Sequence, residues 1–243
     1  MKKLATGLAA IAALAMAAPA YAEPISLSSG DVGNSFFIDF DGFSGDSSST
    51  INGLTATLIL TLDSVTGDTY NFSYEMLNTT GSGLTSNISS FAFNVDPDIV
   101  GADVDGAYQF AFVTDGRGSD PSLPNQIGAV DVCFKAANSG SCSNGGGVSE
   151  GSTGTGSLSL FFDPDAAQIT LDDFFVRYQG ITGAGSIGSA TGGQTSTSGT
   201  TTSGTPVPAP GMLGLLAIAL FSLGLMRRRR DIEPVQPARP AFA

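Results

Sequence analysis

The stretch Ile51-Asn52-Gly53-Leu54-Thr55-Ala56-Thr57-Leu58-Ile59-Leu60-Thr61-Leu62-Asp63-Ser64-Val65, followed three residues later by Thr69-Tyr70-Asn71-Phe72-Ser73-Tyr74-Glu75-Met76-Leu77, decides the fold. Leu54, Ala56, Leu58, Leu60 and Leu62 alternate with Thr55, Thr57 and Thr61, and only Ile59 breaks the rule. Tyr70, Phe72, Tyr74 and Met76 alternate with Asn71, Ser73 and Glu75. Side chains point to opposite faces at successive positions of a strand, so alternation predicts half-buried β-strands. The same signal recurs at Ser35–Phe40, Ile88–Val95, Ala107–Val113, Gln126–Lys135, Gly156–Asp163 and Gln168–Gln179, each bounded by Gly, Asn, Asp, Ser or Pro. Many short strands with turn-rich borders and no amphipathic helical window predict an all-β domain, an antiparallel β-sandwich or jelly roll. Phenylalanine supplies its bulk: Phe36-Phe37, Phe91, Phe93, Phe110, Phe112, Phe161-Phe162 and Phe174-Phe175 are expected in the core rather than on a sugar-stacking platform.

Composition narrows the chemistry. The 243 residues include no His, no Trp and two Cys. Without His there is no Ser-His-Asp or Cys-His triad and no commonest metal ligand. Two Cys cannot build a four-ligand structural zinc site. The net charge of −12 argues against nucleic acid as a partner, because that binding needs a basic footprint.

The two ends read as targeting segments. Met1-Lys2-Lys3, an apolar run from Leu4 to Ala18 and the small residues Ala20 and Ala22 predict a signal peptide over residues 1–22, cleaved after Ala22. At the other end Val207-Pro208-Ala209-Pro210-Gly211 leads into an uncharged stretch, Gly211–Met226, and then Arg227, Arg228, Arg229 and Arg230. A helix over 211–226 spans about 24 Å, and starting at Val207 lengthens it toward the roughly 30 Å hydrocarbon core. The arginines stop the span and favour the cytoplasmic side. The part between, Glu23–Pro206, holds 20 acids against Arg117, Lys135 and Arg177, a charge of −17. That keeps it soluble and suits it to divalent cations.

This order of Pro-x-Pro motif, apolar helix and basic cluster resembles the PEP-CTERM sorting signal of exported Gram-negative proteins, in a V-P-A-P-G form over residues 207–230. Ala209 stands where the type motif has Glu, and a short tail, 231–243, follows the arginines. The resemblance implies an exosortase-type membrane transpeptidase as processing partner. It also implies an inner-membrane-anchored precursor, and delivery to the cell surface or the exopolysaccharide matrix. Within the exported part, Val130-Asp131-Val132-Cys133-Phe134-Lys135, Cys142 before Gly145-Gly146-Gly147, and Leu171-Asp172-Asp173-Phe174-Phe175-Val176-Arg177-Tyr178-Gln179 are similar to the cistern family of PEP-CTERM proteins. That likeness implies a domain of about residues 25–182 and no particular activity.

The expected organisation is therefore a signal peptide, a β-sandwich ectodomain at 23–182, a flexible linker at 183–206, and the sorting signal with its transmembrane helix. The linker expectation rests on Gly, Ser and Thr making up 19 of the 24 residues from Gly183 to Pro206, too little apolar surface to order itself. In an exported chain Cys133 and Cys142 are expected to form a disulfide. Closing that ten-residue loop is worth on the order of 2–3 kcal/mol. A redox or metal pair is the poorer reading, since the spacing is not C-x-x-C.

Asp96-Pro97-Asp98 and Asp103-Val104-Asp105-Gly106 are expected to share an acidic loop. Asp96, Asp98, Asp103 and Asp105 are its weak calcium candidates, although the spacing fits no EF-hand. No cofactor is otherwise expected. Paired carboxylates suited to glycoside cleavage cannot be assigned, and Glu is scarce, with Glu23, Glu75 and Glu150 in the exported part. The sequence points to a non-enzymatic structural or adhesive protein of exopolysaccharide. A carbohydrate- or calcium-binding module is the second reading, and a hydrolase of matrix polymer the third.

Overall fold

The computed structural model describes residues 23–45, 49–81, 83–114, 120–138, 142 and 145–200. The expected signal peptide with Ala20 and Ala22, the motif Val207–Gly211, the helix 211–226 and Arg227–Arg230 lie outside the described residues. Among the described residues no helix is long and apolar enough to cross a membrane.

Among the described residues fourteen strands form, with one short 3-10 turn at Ser29–Asp31. They are β1 (Ile25–Ser28), β2 (Ser35–Phe40), β3 (Ala56–Thr66), β4 (Thr69–Asn78), β5 (Thr85–Asp96), β6 (Gly101–Gly106) and β7 (Phe110–Val113), then β8 (Ser122–Leu123), β9 (Gly128–Ala129), β10 (Val132–Lys135), β11 (Val148–Ser149), β12 (Thr153–Phe161), β13 (Gln168–Thr182) and β14 (Ser189–Thr200). The alternating stretch quoted first folds as the β3–β4 hairpin, with Thr66 opposite Thr69. Gly67 (φ +61°) takes the first of the two loop positions, as a type II′ turn requires.

The main sheet is antiparallel, in the order β6-β12-β4-β3-β2-β14-β13-β5-β10-β7. Its two end strands, β6 and β7, come close together, so the sheet wraps into a nearly closed barrel. The all-β antiparallel expectation holds at that level. Inside lie Leu58, Leu60, Tyr70, Phe72, Tyr74, Phe91, Phe93, Phe134, Phe174 and Val176. Phe91 is the hub, with ring centroids 5.0 Å from Phe134, 5.1 Å from Tyr108 and 5.6 Å from Tyr74. The Tyr74 hydroxyl donates to the Asp105 carbonyl (3.0 Å) and accepts from the Tyr108 amide (3.0 Å).

Three expectations need correction. First, Gly183–Pro206 is not a tether throughout. Ser189–Thr200 is strand β14. Ser189–Gly193 pair with β13, and Gln194–Thr200 pair with β2, so one strand joins two parts of the barrel. The small residues are what the site admits. A Cβ on Gly192 would stand 2.4 Å from the Asp41 carbonyl oxygen and 2.5 Å from a Val176 methyl. Glycine inside a strand marks such close approach. The two ladders pair successive halves of its backbone, so ordering does not require apolar side chains of its own.

Second, the phenylalanines do not all join the core. Period two splits each doublet: Phe162 and Phe174 are buried, whereas Phe161 and Phe175 point outward and are half-buried. Phe36 packs against the core, and Phe37 does not. Third, Asp103 and Asp105 are in no loop. They belong to β6, opposite Ser159 and Ser157 of β12.

Candidate functional site

The barrel has two unlike outer faces. On β5, β10 and β13, the residues Ser90, Ala92, Cys133, Phe175 and Arg177 point away from the core and are covered by the segments around 120–130 and 142. Leu123, Val130, Cys142, Cys133 and Ala92 form a second apolar cluster there, with Ile127 and Phe175 against it. Cys133 and Cys142 are joined by a disulfide, as expected. The Ser90 hydroxyl donates to the Cys142 carbonyl (2.6 Å), and the Cys142 amide donates to the Ser122 carbonyl (3.1 Å). The Asn125 side-chain amide donates to the Thr191 hydroxyl (3.0 Å). This cover is a strap held at three points.

Two buried cations belong to the same wall. Lys135 is buried with its ammonium 4.4 Å from the Phe112 ring centroid, and burial pushes its pKa down. Arg177 is buried, donating to the Thr191 and Ser189 hydroxyls (3.3 and 2.7 Å), and burial lowers it too. Inside the barrel, desolvation raises Tyr108 and Tyr178 well above the ordinary phenol value, with the Asp41 charge adding to the Tyr178 shift.

At one end of the strapped face a cleft of about 460 Å³ opens between the strap and β13. Asp96, Asp120, Asp131, Asp172 and Asp173 line it, with Asn94 between them. Asn94 organises the set: its oxygen accepts from the Asp131 amide (3.2 Å), and its nitrogen donates to the Asp173 carboxylate (3.1 Å). Asp131 in turn accepts from the Val95 amide (2.9 Å). Asp173 sits at φ +49° in a β-bulge between Asp172 and Phe175, which turns its side chain from the ladder rhythm toward the cleft. One Asp120 oxygen is buried with no hydrogen-bond partner among the described residues.

Of the four calcium candidates, the cleft takes only Asp96. Asp98 is exposed in the turn after β5, and Asp103 and Asp105 are exposed on β6. Among the described residues no three carboxylates converge closely enough to hold a metal ion. The cleft acids come from four places in the chain, and only Asp96, beside Asp98, and the doublet Asp172-Asp173 carried a local signal.

Among the described residues the outer face of β2, β3, β4 and β12 is bare. In register across it stand Asp39, Thr57, Leu77 and Thr153; then Phe37, Ile59, Glu75 and Thr155; then Ser35, Thr61, Ser73 and Ser157. None of these side chains is buried.

No family model, curated protein or solved structure matches this chain.

Proposed function

We propose that this chain is an exported structural or adhesive protein of a bacterial surface or exopolysaccharide matrix. The reading identifies the chain as a PEP-CTERM protein of the cistern kind, handed at the inner membrane to an exosortase-type transpeptidase. The observation that carries it is the pairing of ends: a Lys-led apolar leader closing on Ala20 and Ala22, and Val207–Gly211 with its apolar stretch stopped by Arg227–Arg230. An oxidised Cys133–Cys142 pair suits an oxidising compartment. The body is read as a sandwich-like barrel, jelly-roll in kind, whose −17 charge keeps copies apart until the matrix holds them. Mass spectrometry of the protein from cells with and without the transpeptidase tests this. We expect Glu23 as first residue in both, and a C-terminus cut near Pro210 only when the enzyme is present. A full-length cytosolic chain with both ends uncut overturns the reading.

A second reading, a calcium- or carbohydrate-binding module, is favoured by the acid-lined cleft. Thermal melting in millimolar calcium checks the calcium arm. A rise abolished by Asp131→Asn supports it, and an unchanged melting point rejects it.

A further inference from the structure

We propose that the bare outer face of β2, β3, β4 and β12 docks a neutral polysaccharide; the inference deepens the matrix reading above and rests on it. Four observations point to this partner. The face is a two-dimensional grid: outward residues repeat about every 6.8 Å along a strand and about 4.8 Å between strands. Its polar groups are held in place by one another. The Ser35 and Thr61 hydroxyls lie 2.8 Å apart, Thr57 and Ser196 donate to the two Asp39 carboxylate oxygens (2.8 and 2.9 Å), and Ser159 donates to Asn71 (2.7 Å). Each hydroxyl has one donor and two acceptor sites, so these lateral bonds leave acceptors facing outward. A grid already ordered loses little entropy on binding.

The face also offers carbon. Phe37 lies opposite Ile59, and Leu77 sits on the neighbouring row. The three are half-buried and lie outside the core clusters. An apolar strip between rows of hydroxyls matches a sugar ring, which presents C–H faces and hydroxyl edges together.

Charge decides against two other occupants. Asp39, Asp63, Glu75, Asp103 and Asp105 lie on this sheet, and its strands β2, β3, β4, β6 and β12 contain no Lys or Arg. A polyanion is repelled, and so is a second copy of the same face. A neutral polyol can donate its hydroxyls to these carboxylates at no Coulombic cost.

The test uses the full chain in mild detergent, mixed with insoluble cellulose, chitin and β-1,3-glucan, with alginate beads as the anionic comparison. We expect retention on at least one neutral polymer, insensitive to salt. The triple variant Thr57→Arg/Ser73→Arg/Ser157→Arg should lose at least tenfold, and Asp165→Asn, in the exposed turn between β12 and β13, should lose nothing. A milder pair, Phe37→Ser/Ile59→Thr, should lose severalfold even if the arginine triple fails to fold. Equal retention of folded variants, retention on alginate alone, or no retention on any neutral polymer overturns the proposal. So does a dimer that the triple variant abolishes, which makes the face a self-interface. Export fails separately: a cytosolic chain with uncut ends that still binds polymer refutes the location and leaves the face intact.

Discussion

The β5–β10–β13 wall and the β2–β3–β4–β12 wall enclose the same interior and obey the same period-two rule, yet their outer faces differ in kind. On the first wall the outward positions carry Ala92, Cys133 and Phe175, and a strap lies over them. On the second they carry Thr57, Thr61, Ser73 and Ser157, and none of the described residues lies over them. The inward residues are alike on both walls, so the inward face sets the barrel and the outward face sets what each wall does next. Apolar outward residues recruit a second layer of the same chain, and hydroxyls leave the wall to solvent or a partner.

The largest expected effect concerns the interior that the walls share. Tyr108 and Tyr178 are held protonated by burial, so their folded pKa values exceed the ordinary value near 10. The folded state then binds more protons than the unfolded chain, and stability falls as pH climbs above about 10, by about 1.4 kcal/mol per pH unit for each tyrosine. Denaturant titrations from pH 9 to 12 should show this loss, and Tyr108→Phe with Tyr178→Phe should flatten it. If amides of one wall exchange well before those of the other, the walls are not one cooperative unit and the comparison breaks.

Next comes the strap. Replacing both cysteines with Ala should cost about 2–3 kcal/mol. Hydrogen exchange should rise around 120–130 and in β10, and stay unchanged in β3 and β4. Spread of the effect into β3 would mean that the strap supports the whole barrel. Smaller still is the contrast between two outward phenylalanines. Phe175→Ala removes a side chain packed under the strap and should cost about 1–2 kcal/mol more than Phe37→Ala on the bare wall, read by chemical denaturation. Least of all, Thr57→Ala should change stability by no more than about 0.5 kcal/mol. A larger loss would show that the hydroxyl grid serves the fold rather than a partner.

Legibility followed the same divide. Strands β3 and β4 were readable because alternation is local: each side chain's facing is set by its own position in the pleat. β14 was unreadable for the opposite reason. Its Thr-Gly-Gly run carries no apolar rhythm, and only the closeness of Asp41 and Val176 reveals why glycine stands at 192. The acids at 103 and 105 suggested a loop, because Asp and Gly are turn formers, but Val104 faces the core and β12 supplies the ladder. The outward role of Phe175 was hidden by Phe174 beside it.

By itself the sequence determined the β class, the hairpin from Ala56 to Asn78, the absence of histidine chemistry and the pairing of the only two cysteines, because each depends on composition or on neighbours a few residues away. Tertiary structure alone decided that β14 closes the gap between β13 and β2, that Asp96, Asp120, Asp131, Asp172 and Asp173 share a cleft, and that one wall is strapped while the other is bare. Those outcomes depend on which segments, distant along the chain, come to lie within a few ångströms, and no local pattern records that distance.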